Sequence, residues 1–386
     1  MATQARQRSD HTATSGRPTG PRLAVLGCGD VVTRYYAPAL AGLSDRARVV
    51  VCCDPAIERA RQVAGLIGGD ERPAVETAIE AMLERDDVDA VLGLAPAPFH
   101  GECNAAILAA GKHLYSEKPL AASAAAATEL VDAAAAGGLL LMCAPAMLAT
   151  PRFRWLSDLL ASGRLGSPTL ACAHLADLGP AGWRAYAGDP APFYGPAVGT
   201  LVDQGIYLLH AVTGLLGRVV RLQAMGTIAI PERAVLGSSR TGERVQVDAP
   251  DHVLIQLQHE NGALAQILSS FAVPATRTPM LEIHCPQGSI SLEHHLSADG
   301  PVNIYLHDEG RLGCEGWLER VPVDPTSAGR VTNVVGYGAA HFVECLRDES
   351  QPLLGGEHAR NVLEIIEAAY TSIATGDSVT LPARTD

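Results

Sequence analysis

The chain contains no unbroken apolar run of the ~18 residues that a membrane span requires. It has no surplus of basic residues either: 29 Lys and Arg stand against 42 Asp and Glu, for a formal net charge of -13. The first absence reads as a soluble protein with no membrane partner. The second argues against a nucleic-acid partner, because phosphate binding needs a basic patch and the basic residues here are scattered. There is also no disulfide framework and no CxxC metal pattern, and no metal site is expected. The nine cysteines are odd in number and fall mostly within apolar strands (Cys52, Cys53, Cys143, Cys172), which implies a reducing compartment and a cytoplasmic location. Residues 1–20 lack the apolar core of a signal peptide and the twin arginine of an export signal, and read as a disordered tail.

What is present is a globular composition, 47% hydrophobic and 18% charged, over 386 residues. That length exceeds what one ordinary core accommodates, so two domains are expected, 21–145 and 146–386. In the first, Arg22 to Leu26 is a short apolar run ending in Gly27-Cys28-Gly29-Asp30-Val31-Val32, and an amphipathic stretch to Leu43 follows. That is strand, tight turn, helix. In a dinucleotide fold the first glycine makes the turn and the second lets the backbone approach the pyrophosphate, which sits on the first amides of the helix. Gly27, Gly29, Asp30 and Val31 are therefore cofactor candidates. Val32 stands where the usual fingerprint has its third glycine, so the motif leans on its context.

The next strand, Arg48 to Cys53, ends in Asp54, roughly 25 residues past the turn, where an acidic residue would hold the adenosine ribose. Asp54 favours NAD, since a carboxylate there repels the extra phosphate of NADP. The alternative is a helix N-cap before Pro55, and Arg59 keeps NADP open. Strand and helix patterns keep alternating as far as the strand Leu139 to Cys143, which makes this half an α/β, Rossmann-type doubly wound parallel sheet. Ligands of such sheets bind beyond the carboxyl ends of the strands, where Gly27, Asp54, Ala95-Pro96 and Glu117-Lys118 all fall.

After a helix from Pro151 to Ala161, capped by Thr150, come alternating runs at 169–174, 219–228, 251–258, 263–271, 280–285, 289–292 and 303–306. They make a C-terminal α+β domain with a large, mainly antiparallel open sheet, with Asn261-Gly262 as a hairpin turn. One stretch is not explained by the sheet. Gly199 to His210 reads as a helix with Asp203, Tyr207 and His210 at i, i+4 and i+7, on one face. Three polar side chains on one stripe of an apolar helix suggest a pocket wall. The alternative leaves Asp203 as a cap, Tyr207 in the core with its hydroxyl satisfied and His210 on the surface.

The remaining feature is Tyr115-Ser116-Glu117-Lys118-Pro119-Leu120, which puts a charged pair at the end of a buried strand, a costly placement unless it has a task. With its run-up, Val88 to Pro96, Phe99-His100 and Gly111-Lys112-His113, it resembles the Gfo/Idh/MocA family of nicotinamide-dependent oxidoreductases, whose members share a Glu-Lys-Pro signature in this setting. The resemblance spans nearly the whole chain from Pro21. It implies NAD, with NADP possible as the alternative, and a secondary alcohol or ketone of a sugar, cyclitol or related polyhydroxylated ring as substrate. It also implies a homodimer or homotetramer formed over the outer face of the open sheet. The family's Asp-x-Gly-x-His is Asp203-Gln204-Gly205-Ile206-Tyr207 here, similar to the branch that includes glucose-fructose oxidoreductase and the dihydrodiol dehydrogenases, where tyrosine takes the histidine's role. His210 stands where many members carry a further Asp. His100 follows Pro96-Ala97-Pro98 instead of the family's Thr-Pro-Asn turn and reads as a structural histidine at a helix start, with cofactor proximity as a secondary consequence. Related sequences often place an arginine or asparagine within 144–149, which is apolar here. Substrate recognition then falls to Trp183, Arg184 and Tyr194, with His210 as a further candidate, and the substrate is expected to be less densely charged than a sugar phosphate or nucleotide sugar.

Oxidising a secondary alcohol needs a hydride passed to the nicotinamide while a base takes the hydroxyl proton; reduction runs the same path backwards with an acid. Tyr207 is the expected proton donor or acceptor, Lys118 the hydrogen-bond donor to the substrate oxygen and relay, Asp203 the orienter or substrate hydroxyl acceptor, and Glu117 the partner of the cofactor ribose. A neighbouring ammonium favours tyrosinate and a positive nicotinamide disfavours protonated lysine, so both groups are expected to titrate nearer neutrality. The alternative for Lys118 is a salt bridge with a nearby carboxylate. Two rival functions share the fold: a redox-cycling epimerase or glycoside-cleaving enzyme with tightly bound NAD, and a non-catalytic NAD(P)-binding sensor. Retention of Lys118 together with Tyr207 argues against the sensor.

Overall fold

The computed structural model describes residues 20–383 apart from 69–70, 187, 238–239, 294–297, 299, 308–314, 324–330 and 332. The tail expected at 1–20 lies outside the described residues, Gly20 excepted. Six strands, β1 (Arg22–Leu26), β2 (Arg48–Cys53), β3 (Ala74–Glu76), β4 (Ala90–Gly93), β5 (His113–Ser116) and β6 (Leu141–Cys143), form a sheet ordered β3-β2-β1-β4-β5-β6. Every pairing in it is parallel. Apart from Arg22 at the start of β1, its central strands are apolar because helices cover the sheet, and an alternating pattern would bury polar side chains. The connecting helices are α1 (Ala37–Ala41), α2 (Ile57–Ile67), α3 (Ile79–Leu83), α4 (His100–Ala109) and α5 (Ala124–Ala136). The chain leaves β1 for β2 and β3, then returns to β4 on β1's other side. A crevice therefore opens at the carboxyl ends of β1 and β4, the switch point of the sheet.

Beyond β6 come α6 (Pro151–Ala161), β7 (Leu170–Ala176), α7 (Gly179–Gly182), α8 (Ile206–Leu216) and β8 (Val219–Thr227). A small hairpin, β9 (Glu232–Ala234) with β10 (Arg244–Gln246), precedes β11 (His252–His259), β12 (Leu264–Ser270), β13 (Leu281–Cys285), β14 (Gly288–Leu292), β15 (Val302–Leu306) and β16 (Gly316–Val321). Two helices, α9 (Gly336–Leu346) and α10 (Gly356–Thr375), and the short β17 (Val379–Thr380) close the chain. The second sheet has nine strands in the order β16-β15-β14-β13-β7-β12-β11-β8-β17. It is antiparallel except for β7 beside β12. Along β11, Val253, Ile255 and Leu257 point inward and Leu254 and Gln256 outward, the alternation of a sheet covered on one face. Asn261-Gly262 does join β11 to β12 as a hairpin. The small hairpin, β16 and β17 were not legible: three of these four strands have two or three residues, and β16 is exposed at most positions and shows no inward face.

The two sheets share one apolar core, because α10 lies against both α5 and β8, and α9 packs on α1. Two π turns occur among the described residues, Val32–Tyr36 before α1 and Leu201–Gly205 before α8. Such turns interrupt the i→i+4 register and are frequent at functional sites. Both border the crevice.

Beneath it, Tyr115 is fully buried with its ring against Tyr36 (centroids 6.2 Å apart) and Phe342 (5.9 Å). Gly338 in α9 makes room for it, since a Cβ at that position would overlap the Tyr115 hydroxyl. Replacing a helical glycine by alanine normally gains about 1 kcal/mol. Overpacking a core costs about 1–3 kcal/mol, and the rigid phenol has nowhere to move. Gly338→Ala should therefore lower the urea midpoint without changing the slope of the transition. Adding Tyr115→Phe, which removes the closest of the overlapped atoms, should restore part of the loss.

Candidate active site

The crevice is lined first by the glycine turn. Gly27 has φ +87°, and a Cβ there would lie 2.6 Å from the Leu94 carbonyl oxygen at the end of β4, so both conformation and space require glycine. Gly29 is different: a Cβ there meets nothing within 4 Å. The protein leaves that side open, as close passage of a pyrophosphate demands, and the following helix presents its first, internally unpaired amides there. Val32 does not obstruct this, being fully buried at the start of the first π turn. The Asp30 carboxylate accepts a hydrogen bond from Arg34 at 2.8 Å. Val31 is half-buried beside it.

Asp54 is 7% exposed, with one carboxylate oxygen accepting the Cys28 N–H and the other the Ala56 N–H, both at 2.8 Å. It is not the N-cap of α2, a position held by Ala56. It braces the glycine turn instead, and each oxygen retains a lone pair for a ribose hydroxyl. Ala95 and Pro96 sit at the mouth of the crevice. His100 is buried, with Nδ1 2.6 Å from the Pro119 carbonyl and Nε2 2.7 Å from the Ala95 carbonyl. Both ring nitrogens are engaged with backbone, so His100 ties the Ala95-Pro96 turn to the loop after β5. That supports the structural reading of His100, with both ring nitrogens turned to backbone carbonyls.

At the end of β5, Glu117 accepts the Lys118 N–H at 2.9 Å on one oxygen and the Tyr36 hydroxyl at 2.7 Å on the other. The Lys118 side chain crosses to the second π turn, where Nζ donates to both the carbonyl and the Oδ1 of Asp203, each at 2.9 Å. The pair is largely buried, with side chains 15% and 11% exposed. Tyr207, in the first turn of α8, places its ring 5.3 Å from the same Nζ. Lys118, Asp203 and Tyr207 thus converge, while Glu117 lies alongside them on the coenzyme side.

Their protonation differs from expectation. Burial works against the Lys118 charge, but Asp203 and Tyr207 outweigh it and hold the ammonium well above the ordinary lysine range. Burial pushes the Tyr207 phenol up to about 12, and Lys118 offsets this only in part. With these partners neither group titrates near neutrality: both keep their protons, which is the state of a pair of acids. The expected shift toward neutrality counted the ammonium and a positive nicotinamide, and left out burial and Asp203, the carboxylate that pairs with Lys118.

His210 does not share the face of Asp203 and Tyr207. The π turn alters the phase of the helix, and His210 is buried against α10, its ring 4.7 Å from that of His358. Neither of its nitrogens has a hydrogen-bond partner, and burial holds it well below the usual histidine range, so it is a neutral core group and not a substrate ligand. Tyr194 is also withdrawn: it is 1% exposed, packs on Phe271 and accepts the Ala181 N–H at 3.0 Å, as part of a satellite core under the β9–β10 hairpin. Trp183 is half-buried, its indole N–H held by Asp177 at 2.9 Å, and Arg184 is exposed. Tyr186, absent from the sequence reading, stacks edge-on with Trp183, and the charges of Asp203 and Asp30 add to burial in raising its phenol. Its only sequence trace is an aromatic three residues after Trp183. Tyr36 was missed because one apolar-face aromatic in a helix reads as core.

A coenzyme-shaped turn with a braced acidic residue beside it, and a buried lysine, carboxylate and phenol beyond it, define a nicotinamide-dependent oxidoreductase. Residues 21–144 match the model of the oxidoreductase family with an NAD-binding Rossmann fold, and residues 153–291 match the GFO/IDH/MocA C-terminal domain. A dTDP-3,4-didehydro-2,6-dideoxy-alpha-D-glucose 3-reductase of Actinomadura kijaniata is 31% identical over 274 residues, covering 68% of this chain and 79% of its own. D-apiose dehydrogenase of Paraburkholderia graminis is 26% identical over 367 residues, covering 93% and 89%. An NAD binding oxidoreductase from Klebsiella pneumoniae superposes with a TM-score of 0.79 over 95% of this chain and 100% of its own at 19% identity, a likeness of fold. The chain belongs to the Gfo/Idh/MocA family and is a dehydrogenase or reductase that uses NAD(P).

Tyr207→Phe should lower kcat by roughly 10²- to 10⁴-fold, the loss expected of an acid or base, with coenzyme affinity unchanged. Lys118→Ala should cost as much, and the double variant little more than either single one. In the direction of carbonyl reduction kcat/KM should fall at alkaline pH, where the donors lose their protons. Asp203→Asn removes the charge that raises Lys118, so it should move that alkaline limb to lower pH. A limb that stays in place would detach Asp203 from the proton chemistry.

Proposed function

We propose that this enzyme reduces, and in reverse oxidises, one ring position of an uncharged sugar or cyclitol, with NAD(H) as its preferred coenzyme. The observation that carries the reading is the Lys118 Nζ held at 2.9 Å by Asp203 with the Tyr207 ring beside it. When bound, the nicotinamide supplies or takes the hydride. Tyr207 and Lys118 donate hydrogen bonds to the substrate oxygen and pass it a proton in reduction; Asp203 keeps Lys118 charged and aimed. With both groups protonated at neutral pH, the site is set to give a proton to the substrate oxygen in reduction, and the reverse step needs one of them deprotonated.

The names of the relatives, a dTDP-sugar reductase and an apiose dehydrogenase, support a sugar substrate and differ on its charge. The side chains here favour the uncharged kind. Lys118 is neutralised by Asp203 and Arg34 by Asp30, and the segment at 144–149 is buried and apolar. Trp183 and Tyr186 offer an aromatic wall suited to a sugar ring, with Arg184 as the exposed cation of that loop. Asp54 supports NAD over NADP, and the buried free thiols fit a cytoplasmic setting. Titration of both coenzymes should show NAD(H) binding at least tenfold tighter, about 1.4 kcal/mol. Nicotinamide absorbance should then report turnover with a panel of keto-sugars, aldoses and inositols. Turnover confined to nucleotide-linked sugars would overturn the uncharged assignment, and coenzyme that copurifies and never exchanges would select redox cycling.

The outer face of the second sheet supports a homodimer or homotetramer. Met225, 73% exposed, sits opposite Leu254, 45% exposed, and Leu264 opposite Leu170, across adjacent strands. A second copy of the chain is the occupant that covers such a face. Sedimentation should give a dimer or larger, and Met225→Lys with Leu254→Glu should reduce its size; a wild-type monomer would refute the assembly.

A further inference from the structure

We infer that Tyr36 is a positioning residue that orients Glu117, and through it locks the glycine-turn helix to the Glu-Lys-Pro loop so that both ends of the coenzyme meet one rigid frame. Tyr36 closes the first π turn and is fully buried. Its hydroxyl donates to a Glu117 oxygen at 2.7 Å, across the width of β4, which separates the strand before the glycine turn from the strand that leads into Glu117. The other Glu117 oxygen is taken by the Lys118 N–H, so the carboxylate is fixed at both atoms. Tyr36 has one proton and gives it to the carboxylate; the Tyr115 hydroxyl, 3.4 Å away, is then the donor to Tyr36. The result is a chain of two phenols ending on a carboxylate beside the catalytic lysine. Burial and the Glu117 charge push the Tyr36 phenol well up, so it stays a donor. A role in packing alone needs no hydroxyl: phenylalanine would fill the same volume, and hydrogen bonds to charged groups are the strong ones.

The inference rests on Glu117 contacting the coenzyme. Tyr36→Phe keeps the ring and removes the hydroxyl. Fluorescence titration should show NADH affinity reduced about tenfold, the size of one lost hydrogen bond to a charged group. kcat should fall by a similar factor while KM for the sugar changes less than twofold. In a Glu117→Gln background the same substitution should add less than twofold, because the carboxylate it serves is gone. Tyr115→Phe, which acts one bond further away, should give a smaller loss of the same kind and serves if Tyr36→Phe folds poorly. Wild-type NADH affinity in Tyr36→Phe, or losses from Tyr36 and Glu117 that simply multiply, would return Tyr36 to the core. A protein that binds NADH but turns over no sugar would sink the substrate reading alone, since the affinity cycle needs no turnover.

Discussion

The ion pair between Lys118 and Asp203 is the constraint to which the rest of the structure conforms. It joins the end of a parallel strand to a π turn on the other sheet, at 2.9 Å and largely out of water. Burying two charges costs several kcal/mol per ion, and their attraction offsets this only when the geometry is held closely. The fold supplies that hold. Thr200, just before the turn, and Ser269 of β12 exchange hydrogen bonds of 2.8 and 2.9 Å in a fully buried position, pinning the turn to the second sheet. On the other side, the parallel pairing of β5 with β4 and β6 fixes where Lys118 begins.

A second polar layer organises the coenzyme side, and its members work mainly on the backbone. Asp54 gathers two amides, one from the glycine turn and one from the start of the next helix. His100 spans two carbonyls from separate loops. Asn104, in the same helix, reaches the Ser116 hydroxyl and the Leu120 carbonyl, both at 2.9 Å. Loops with unsatisfied backbone groups would otherwise need water in a site that must exclude it. These side chains let irregular segments sit at the carboxyl ends of the strands without that requirement.

The chemistry follows from the same arrangement. A phenol and an ammonium that both retain their protons are suited to donate to a carbonyl oxygen as it gains charge, and the carboxylate beside them keeps the ammonium charged without occupying all its donors. Tyr186, edge-on to Trp183, is near enough to Asp203 for that carboxylate to help raise its phenol.

The amino-acid sequence by itself determined most of the secondary elements and their class. Apolar runs set β1 to β6, period-two alternation set β7, β8 and β11 to β15, and the glycine turn, Asp54 and Glu-Lys-Pro fell at strand ends because a parallel sheet puts all its carboxyl ends on one side. Those are local properties, written in spacing and residue type. Only the tertiary structure decided what each polar side chain faces. The π turn before α8 shifted the phase of the helix, so that Asp203 and Tyr207 meet Lys118 while His210 turns into the core against His358, and a periodicity of 3.6 could not reveal it. Tyr194 resembled a pocket aromatic and became a core one because a distant hairpin closes over it. Tyr36 resembled core and proved to hold Glu117, a partner 81 residues away. The protonation of Lys118 and Tyr207 depended likewise on burial and on Asp203. Electrostatic energy depends on distance and solvent exposure, and a sequence specifies neither until the chain has folded.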